Sequence, residues 1–172
     1  AGHALVACFT PESDPVSKIT IVPRGMALGL TQMLPITEKY NYSKEYLEGQ
    51  LAILMGGRCA ETIFLNTETT GASSDFKEAT DLARKMVTQW GLSSLGYRTF
   101  GENTEHLFLG KTLARQSNED VSPKEAEKIG EEVDKILRAG REKAEKILQD
   151  NKEILTALAK ELGIEINLVL GI

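Results

Sequence analysis

The sequence predicts an α+β domain that is predominantly helical, a helical bundle carrying a small β-hairpin or sheet. Three observations support this. Apolar residues recur at helical spacing through stretches of about 44–64, 75–90 and 122–162. A β-branched run, Val16 to Val22, is followed after Pro23-Arg24-Gly25 by a second extended run, Ala27 to Leu34. Finally, 172 residues with 41% apolar and 26% charged side chains can bury a core of their own, so 1–172 reads as one domain. That balance excludes a disordered chain, a collagen and a disulfide scaffold.

Taken in order, residues 3–10 are short and apolar and read as the end of a helix. Thr10-Pro11-Glu12-Ser13-Asp14-Pro15 breaks it, because two prolines and small polar residues favour turns. The two extended runs then pair as a hairpin, ended by Pro35. Ser43 caps a helix from about Lys44 to Phe64, with Leu47, Leu51, Leu54 and Met55 on one face. Gly56-Gly57 lies inside that pattern, so either the helix bends there or another backbone packs close. Thr67 to Ser74 reads as a polar loop. Asp75 to Trp90 is a helix with Phe76, Ala79, Leu82, Ala83, Met86 and Val87 inward, and Gly91 is a left-handed cap. Ser93 to Gly110 is loop-like, but Tyr97, Phe100, Leu107 and Phe108 imply that it packs on the domain.

Ser122-Pro123-Lys124-Glu125 is a helix start: an N-cap, a first-turn proline and a glutamate closing a capping box. Ala126, Ile129, Val133, Ile136, Leu137, Ala144, Ile147 and Leu148 continue at helical spacing. Ile154, Leu155, Leu158 and Leu162 extend the stripe. Gly140 and Asp150-Asn151 are the expected breaks, so 122–162 reads as a packed helical pair rather than a free coiled coil. The tail 163–172 is apolar and has no assignment.

The net charge of −5, from 20 Lys+Arg against 25 Asp+Glu, offers no clustered basic charge and argues against a nucleic-acid partner. No apolar run is long enough to cross a bilayer. Cys8 and Cys59 sit among small and apolar neighbours and read as buried free thiols; two cysteines set no disulfide framework. His106 follows Glu105 in a polar loop and reads as solvated. His3 opens an apolar helical run.

Ala1-Gly2-His3-Ala4-Leu5-Val6-Ala7 resembles the second half of the H-E-A-G-H-A motif of the FtsH family of membrane-anchored, ATP-dependent zinc metalloproteases. Further matches follow in the family's order and at similar spacing. They are Ile21-Val22-Pro23-Arg24-Gly25, Leu28-Gly29, Gly56-Gly57-Arg58-Cys59-Ala60-Glu61 and Thr70-Gly71-Ala72-Ser73-Ser74-Asp75. Beyond these lie Ala79-Thr80-Asp81-Leu82-Ala83-Arg84, Met86-Val87-Thr88-Gln89-Trp90-Gly91 and Phe108-Leu109-Gly110. Together they cover roughly 1–160; the tail does not resemble the family's continuation.

The chemistry of that motif follows from helix geometry. In H-E-x-x-H two histidines one turn apart face one Zn²⁺, and the glutamate serves as general base toward water at the metal. A third protein ligand leaves the fourth position open. The resemblance implies His3 and Asp75 as zinc ligands. Read without it, Asp75 is first of all a carboxylate favouring a helix start. Glu61 is the other acid of interest, as a salt-bridged carboxylate or one that orients a ligand histidine. The hairpin is expected beside the zinc site, with Ala27, Leu28, Gly29, Leu30 and Thr31 binding an extended substrate through an unpaired edge.

The motif's first histidine and its glutamate would stand just before Ala1. The chain also shows no G-x-x-x-x-G-K-[ST] phosphate loop and opens without Met. It therefore reads as a fragment or processed chain, soluble by itself and inactive as written. By resemblance the parent is anchored in the bacterial inner membrane with this domain in the cytoplasm, or in an organelle membrane of bacterial ancestry. It is a homo- or hetero-hexamer whose ATPase domain binds ATP and Mg²⁺ and which degrades unfolded or membrane proteins; the membrane is met only through other segments. The alternative is a non-catalytic relative acting as an assembly or chaperone-like partner, and Asp75 within Thr-Gly-Ala-Ser-Ser-Asp favours the enzyme.

Overall fold

The structure, a computed structural model, describes residues 1–11, 13–20, 30–34, 41–100, 107–108, 111–112 and 121–163. It is mostly helical with small antiparallel sheets, as the sequence predicts. Helix α1 spans Gly2–Cys8 and buries Gly2, Ala4, Leu5, Val6 and Ala7. Its last carbonyls are taken by hydroxyls: Thr10 Oγ1 donates to Val6 at 2.7 Å and Ser13 Oγ to Ala7 at 2.6 Å. The proline-rich turn therefore ends the helix without leaving buried acceptors unpaired.

Strands β1 (Val16–Thr20) and β2 (Leu30–Met33) form the expected hairpin, antiparallel with Ile19 opposite Thr31 and a register irregularity between Val16 and Lys18. Strand β1 packs against α1. Helix α2 (Lys44–Ala60) starts at Ser43, whose hydroxyl accepts the Tyr46 N–H at 3.0 Å. It continues unbroken through Gly56-Gly57, and the α1 main chain packs close against Gly56, one of the two readings of that pair. The last turn widens into a π-helical turn, Glu61–Leu65, which Asn66 ends at φ +46°. Asparagine tolerates this left-handed conformation better than most residues.

A short 3₁₀ turn, Thr70–Ala72, leads into α3 (Ser73–Thr88). Ala79, Ala83, Met86 and Val87 of its stripe are buried, but Phe76 is exposed because its ring lies beneath the Arg58 guanidinium rather than in the core. Gly91 has φ +63°, as a left-handed residue after the helix should. Of the segment that follows, Phe100 is buried with its N–H on the Thr88 carbonyl, whereas Tyr97 stands fully in solvent. A two-residue ladder joins β3 (Leu107–Phe108) to β4 (Lys111–Thr112). His106 and the tail from residue 164 lie outside the described residues.

Helix α4 (Pro123–Asp150) begins with the expected capping box: the Ser122 hydroxyl accepts the Glu125 N–H, and the Glu125 carboxylate accepts the Ser122 N–H at 3.1 Å. The expected break at Gly140 is absent. A Cβ there would stand 3.1 Å from Leu51 Cβ, so this glycine lets α4 press against α2 within an unbroken helix. The chain breaks only at Asn151, and α5 (Lys152–Glu161) follows. Ile154, expected inward, is exposed; Leu155 and Ala159 bury that helix instead.

The core lies where α1, α2, α3 and α4 meet, with Val6, Leu51, Met86, Val87 and Leu148 its largest fully buried side chains. Cys59 is buried within it, and burial pushes its thiol up to about 11. Cys8 was expected to be buried too, but as the last residue of α1 it faces solvent. No helix of the described residues is long and apolar enough to cross a membrane.

Candidate metal centre

Three elements converge on His3. Helices α1 and α2 cross main chain to main chain: a Cβ on Gly2 would overlap the Gly56 carbonyl oxygen, and one on Gly56 would stand 3.1 Å from the Gly2 oxygen. This approach lays the next residue, His3, on α2. Its Nδ1 is 2.7 Å from the Ile53 carbonyl oxygen. A carbonyl only accepts, so Nδ1 carries a hydrogen, and in the neutral ring it is Nε2 that keeps the lone pair. Nε2 lies 3.4 Å from Asp75 Oδ2, in the first turn of α3.

Asp75 is placed by the end of α2. Arg58 donates to the Thr69 carbonyl, stacks over the Phe76 ring at 5.3 Å, and ion-pairs with Glu61 at 3.6 Å and Glu68 at 3.5 Å. Glu61 accepts the Thr69 hydroxyl at 3.0 Å and the Thr69 N–H at 3.4 Å. Thr69 Oγ1 in turn accepts the Gly71 N–H at 3.2 Å, which starts the 3₁₀ turn before α3. Helix α3 has no side-chain cap of its own, so the Asp75 carboxylate also offsets its unpaired N–H groups.

The sequence-predicted residues are therefore distributed unequally. His3 and Asp75 come together. Glu61 holds the turn before Asp75, and the hydrogen bond from the His3 ring goes to the Ile53 carbonyl. Leu30 and Thr31 open β2; Ala27, Leu28 and Gly29 lie outside the described residues. Two contributors had no reading of their own: a main-chain oxygen leaves no mark in a sequence, and Arg58 appeared only inside a longer motif. Gly57 was flagged only as half of a glycine pair.

The electrostatics place a proton and a cation in competition for Nε2. Burial, the largest single influence on His3, works to lower its pKa. The Asp75 side chain, the Ile53 carbonyl and the Asp75 charge outweigh it and hold the pKa above the ordinary 6.5. The pair also fits zinc. Two donors about 2.1 Å from a tetrahedral Zn²⁺ stand about 3.4 Å apart, and Nε2 and Oδ2 are separated by 3.4 Å. This separation exceeds a good N–H···O hydrogen bond. The Nδ1–H to carbonyl bond is the usual outer partner of a metal-binding imidazole. Among the described residues no group of three or more His, Cys, Asp or Glu is placed to hold an ion, so these two alone would form only part of a ligand set.

Comparison with known proteins follows the same lines. The profile of peptidase family M41 matches residues 1–167. The chain is 48% identical over 163 residues to the ATP-dependent zinc metalloprotease FtsH of Magnetococcus marinus, covering 94% of this chain and 24% of that protein. It is 46% identical over 162 residues to the protein of the same name from Acidobacterium capsulatum, covering 94% and 25%. With that from Caulobacter vibrioides it shares 47% over 164 residues, covering 94% and 26%. The chain thus spans about a quarter of the length of the curated relatives it matches.

Proposed function

This chain belongs to peptidase family M41 as an FtsH-type protease domain, and on that premise we propose that the intact protein hydrolyses peptide bonds at a zinc ion held in part by His3 and Asp75. The observation carrying the proposal is the 3.4 Å between Nε2 and Oδ2, with Nδ1 already engaged by Ile53. When bound, zinc supplies a Lewis acid that polarises a peptide carbonyl and acidifies water near neutral pH. The chain's own residues set the rest. The Ile53 carbonyl holds the imidazole in the tautomer whose Nε2 can ligate. Asp75 adds a second donor of opposite charge to the cation. Arg58, Glu61 and Thr69 hold the turn that presents Asp75.

Substrate recognition is assigned to the hairpin. The β1–β2 sheet has two strands, so among the described residues each has an edge without a strand partner. An extended peptide can pair there through main-chain hydrogen bonds and with little side-chain preference. Ala27, Leu28, Gly29, Leu30 and Thr31 are the proposed docking run. That mode suits unfolded or membrane proteins as substrates. The whole protein, in this reading, is a membrane-anchored hexamer, homo- or heteromeric. A separate ATPase domain, using ATP and Mg²⁺, feeds chains to a protease domain on the cytoplasmic side of a bacterial inner membrane or its organelle counterpart.

The test is made on the intact protein, by bound zinc per polypeptide and ATP-dependent casein degradation. His3→Ala and Asp75→Asn should each lower zinc affinity at least about 10-fold and cleavage by about 10²-fold or more, with unchanged circular dichroism. Variants of both residues that keep parental zinc and cleavage would remove the proposal.

A further inference from the structure

We propose that Gly57 is a positioning residue for the His3 imidazole, its missing side chain being the seat on which the Nε2 end of the ring rests. The inference rests on His3 and Asp75 being zinc ligands. Residues 53 and 57 stand one helical turn apart on α2. The imidazole lies along that turn: Nδ1 is 2.7 Å from the Ile53 oxygen, and the other end lies over residue 57. A Cβ at Gly57 would overlap Nε2, stand 2.8 Å from Cε1 and 3.3 Å from Cδ2. Real Cβ atoms do not approach so closely, so any side chain would push away the nitrogen that faces Asp75.

The neighbouring glycine serves a different contact. A Cβ on Gly56 would meet Val6 Cγ2 at 3.0 Å and the Gly2 oxygen at 3.1 Å, with no imidazole atom among its nearest neighbours. Gly56 is where α1 crosses, and Gly57 is where the ring lies. A glycine inside a helix weakens it relative to alanine, so keeping two side by side is consistent with two separate needs. At half-buried Gly57 the three nearest atoms that a Cβ would meet all belong to the His3 ring.

Four versions of the intact protein decide the matter: parent, Gly57→Ala, His3→Ala and the double variant. Each is read by zinc affinity in chelator competition and by the metal-free unfolding midpoint. Gly57→Ala should weaken zinc binding about 10–100-fold and lower the midpoint. In the His3→Ala background the same substitution should raise the midpoint, because the ring is gone and alanine is the better helix former. A Gly57→Ala protein with parental zinc affinity, or midpoint shifts of equal size in both backgrounds, would overturn the proposal. If Gly57→Ala does not fold, folding of the double variant still supports it, and failure of both overturns it. Zinc affinity unchanged by His3→Ala would instead defeat the ligand reading, while the metal-free midpoints continue to judge Gly57.

Discussion

Helix α2 meets α4 at Gly140, where a Cβ would press on Leu51 at 3.1 Å, and meets α1 at Gly2 and Gly56, where the two main chains approach each other. In the first contact glycine removes a side chain so that two helices pack more closely over a fully buried leucine. In the second it brings a helix close enough for an imidazole to reach a main-chain carbonyl. Packing alone explains Gly140. The α1 crossing has a chemical consequence, because it sets where Nε2 of His3 points.

The largest effect should come from Gly2→Ala, whose new methyl group would meet the Gly56 carbonyl oxygen and stand 2.7 Å from Ala60 Cβ. Lifting α1 off α2 should cost about 3 kcal/mol in denaturant unfolding and weaken zinc binding together. A stable variant with parental zinc affinity would show that the crossing tolerates separation.

Next in size is Tyr46, whose hydroxyl donates to the buried Asp14 carboxylate at 2.8 Å and joins the hairpin's approach to α2. Burial first, and then that hydrogen bond, push its phenol from 10 up to about 12. Ionisation is therefore harder in the folded chain than in the unfolded one. The stabilisation is complete below pH 10 and is lost as pH rises toward about 12. Tyr46→Phe should cost about 1–2 kcal/mol at pH 8, with the gap to the parent narrowing above pH 10 in urea titrations. A gap that does not change with pH would assign the loss to packing.

Gly140→Ala should be milder, about 1 kcal/mol destabilising with zinc affinity unchanged, since α2 must shift by a few tenths of an ångström at Leu51 while alanine favours the helix. Gly130, with open space around it on α4, is the reference. Gly130→Ala should stabilise by about 0.5–1 kcal/mol, and thermal unfolding of the pair would separate crowding from propensity.

The same contrast marks what could be read from the sequence. The capping box at Ser122 and Glu125 was legible because it is a local pattern with one geometry. The hairpin was legible from β-branched residues around a Pro-Arg-Gly turn, and most of the buried faces of α2 and α3 from their period. Gly140 was read as a break because low helix propensity looks the same whether a helix ends or another helix crosses it. Phe76 and Ile154 were placed inward by spacing, which fixes a face but not what covers its edge; Arg58 covers Phe76 from outside the core. Cys8 was misplaced for a similar reason, being the exit of a short helix. That His3 and Asp75 belong together was legible through their motifs, and the structure sets them 3.4 Å apart. The Ile53 oxygen was not, because every residue carries a carbonyl and only the crossing angle selects this one.

In this reading one cation is shared between the opening helix and the start of α3. Anomalous diffraction at the zinc edge, from crystals of the intact zinc-loaded protein, tests it most directly. A peak is expected about 2.1 Å from both His3 Nε2 and an Asp75 oxygen, with Nδ1 still on Ile53. Zinc bound elsewhere, or through Nδ1, would contradict it.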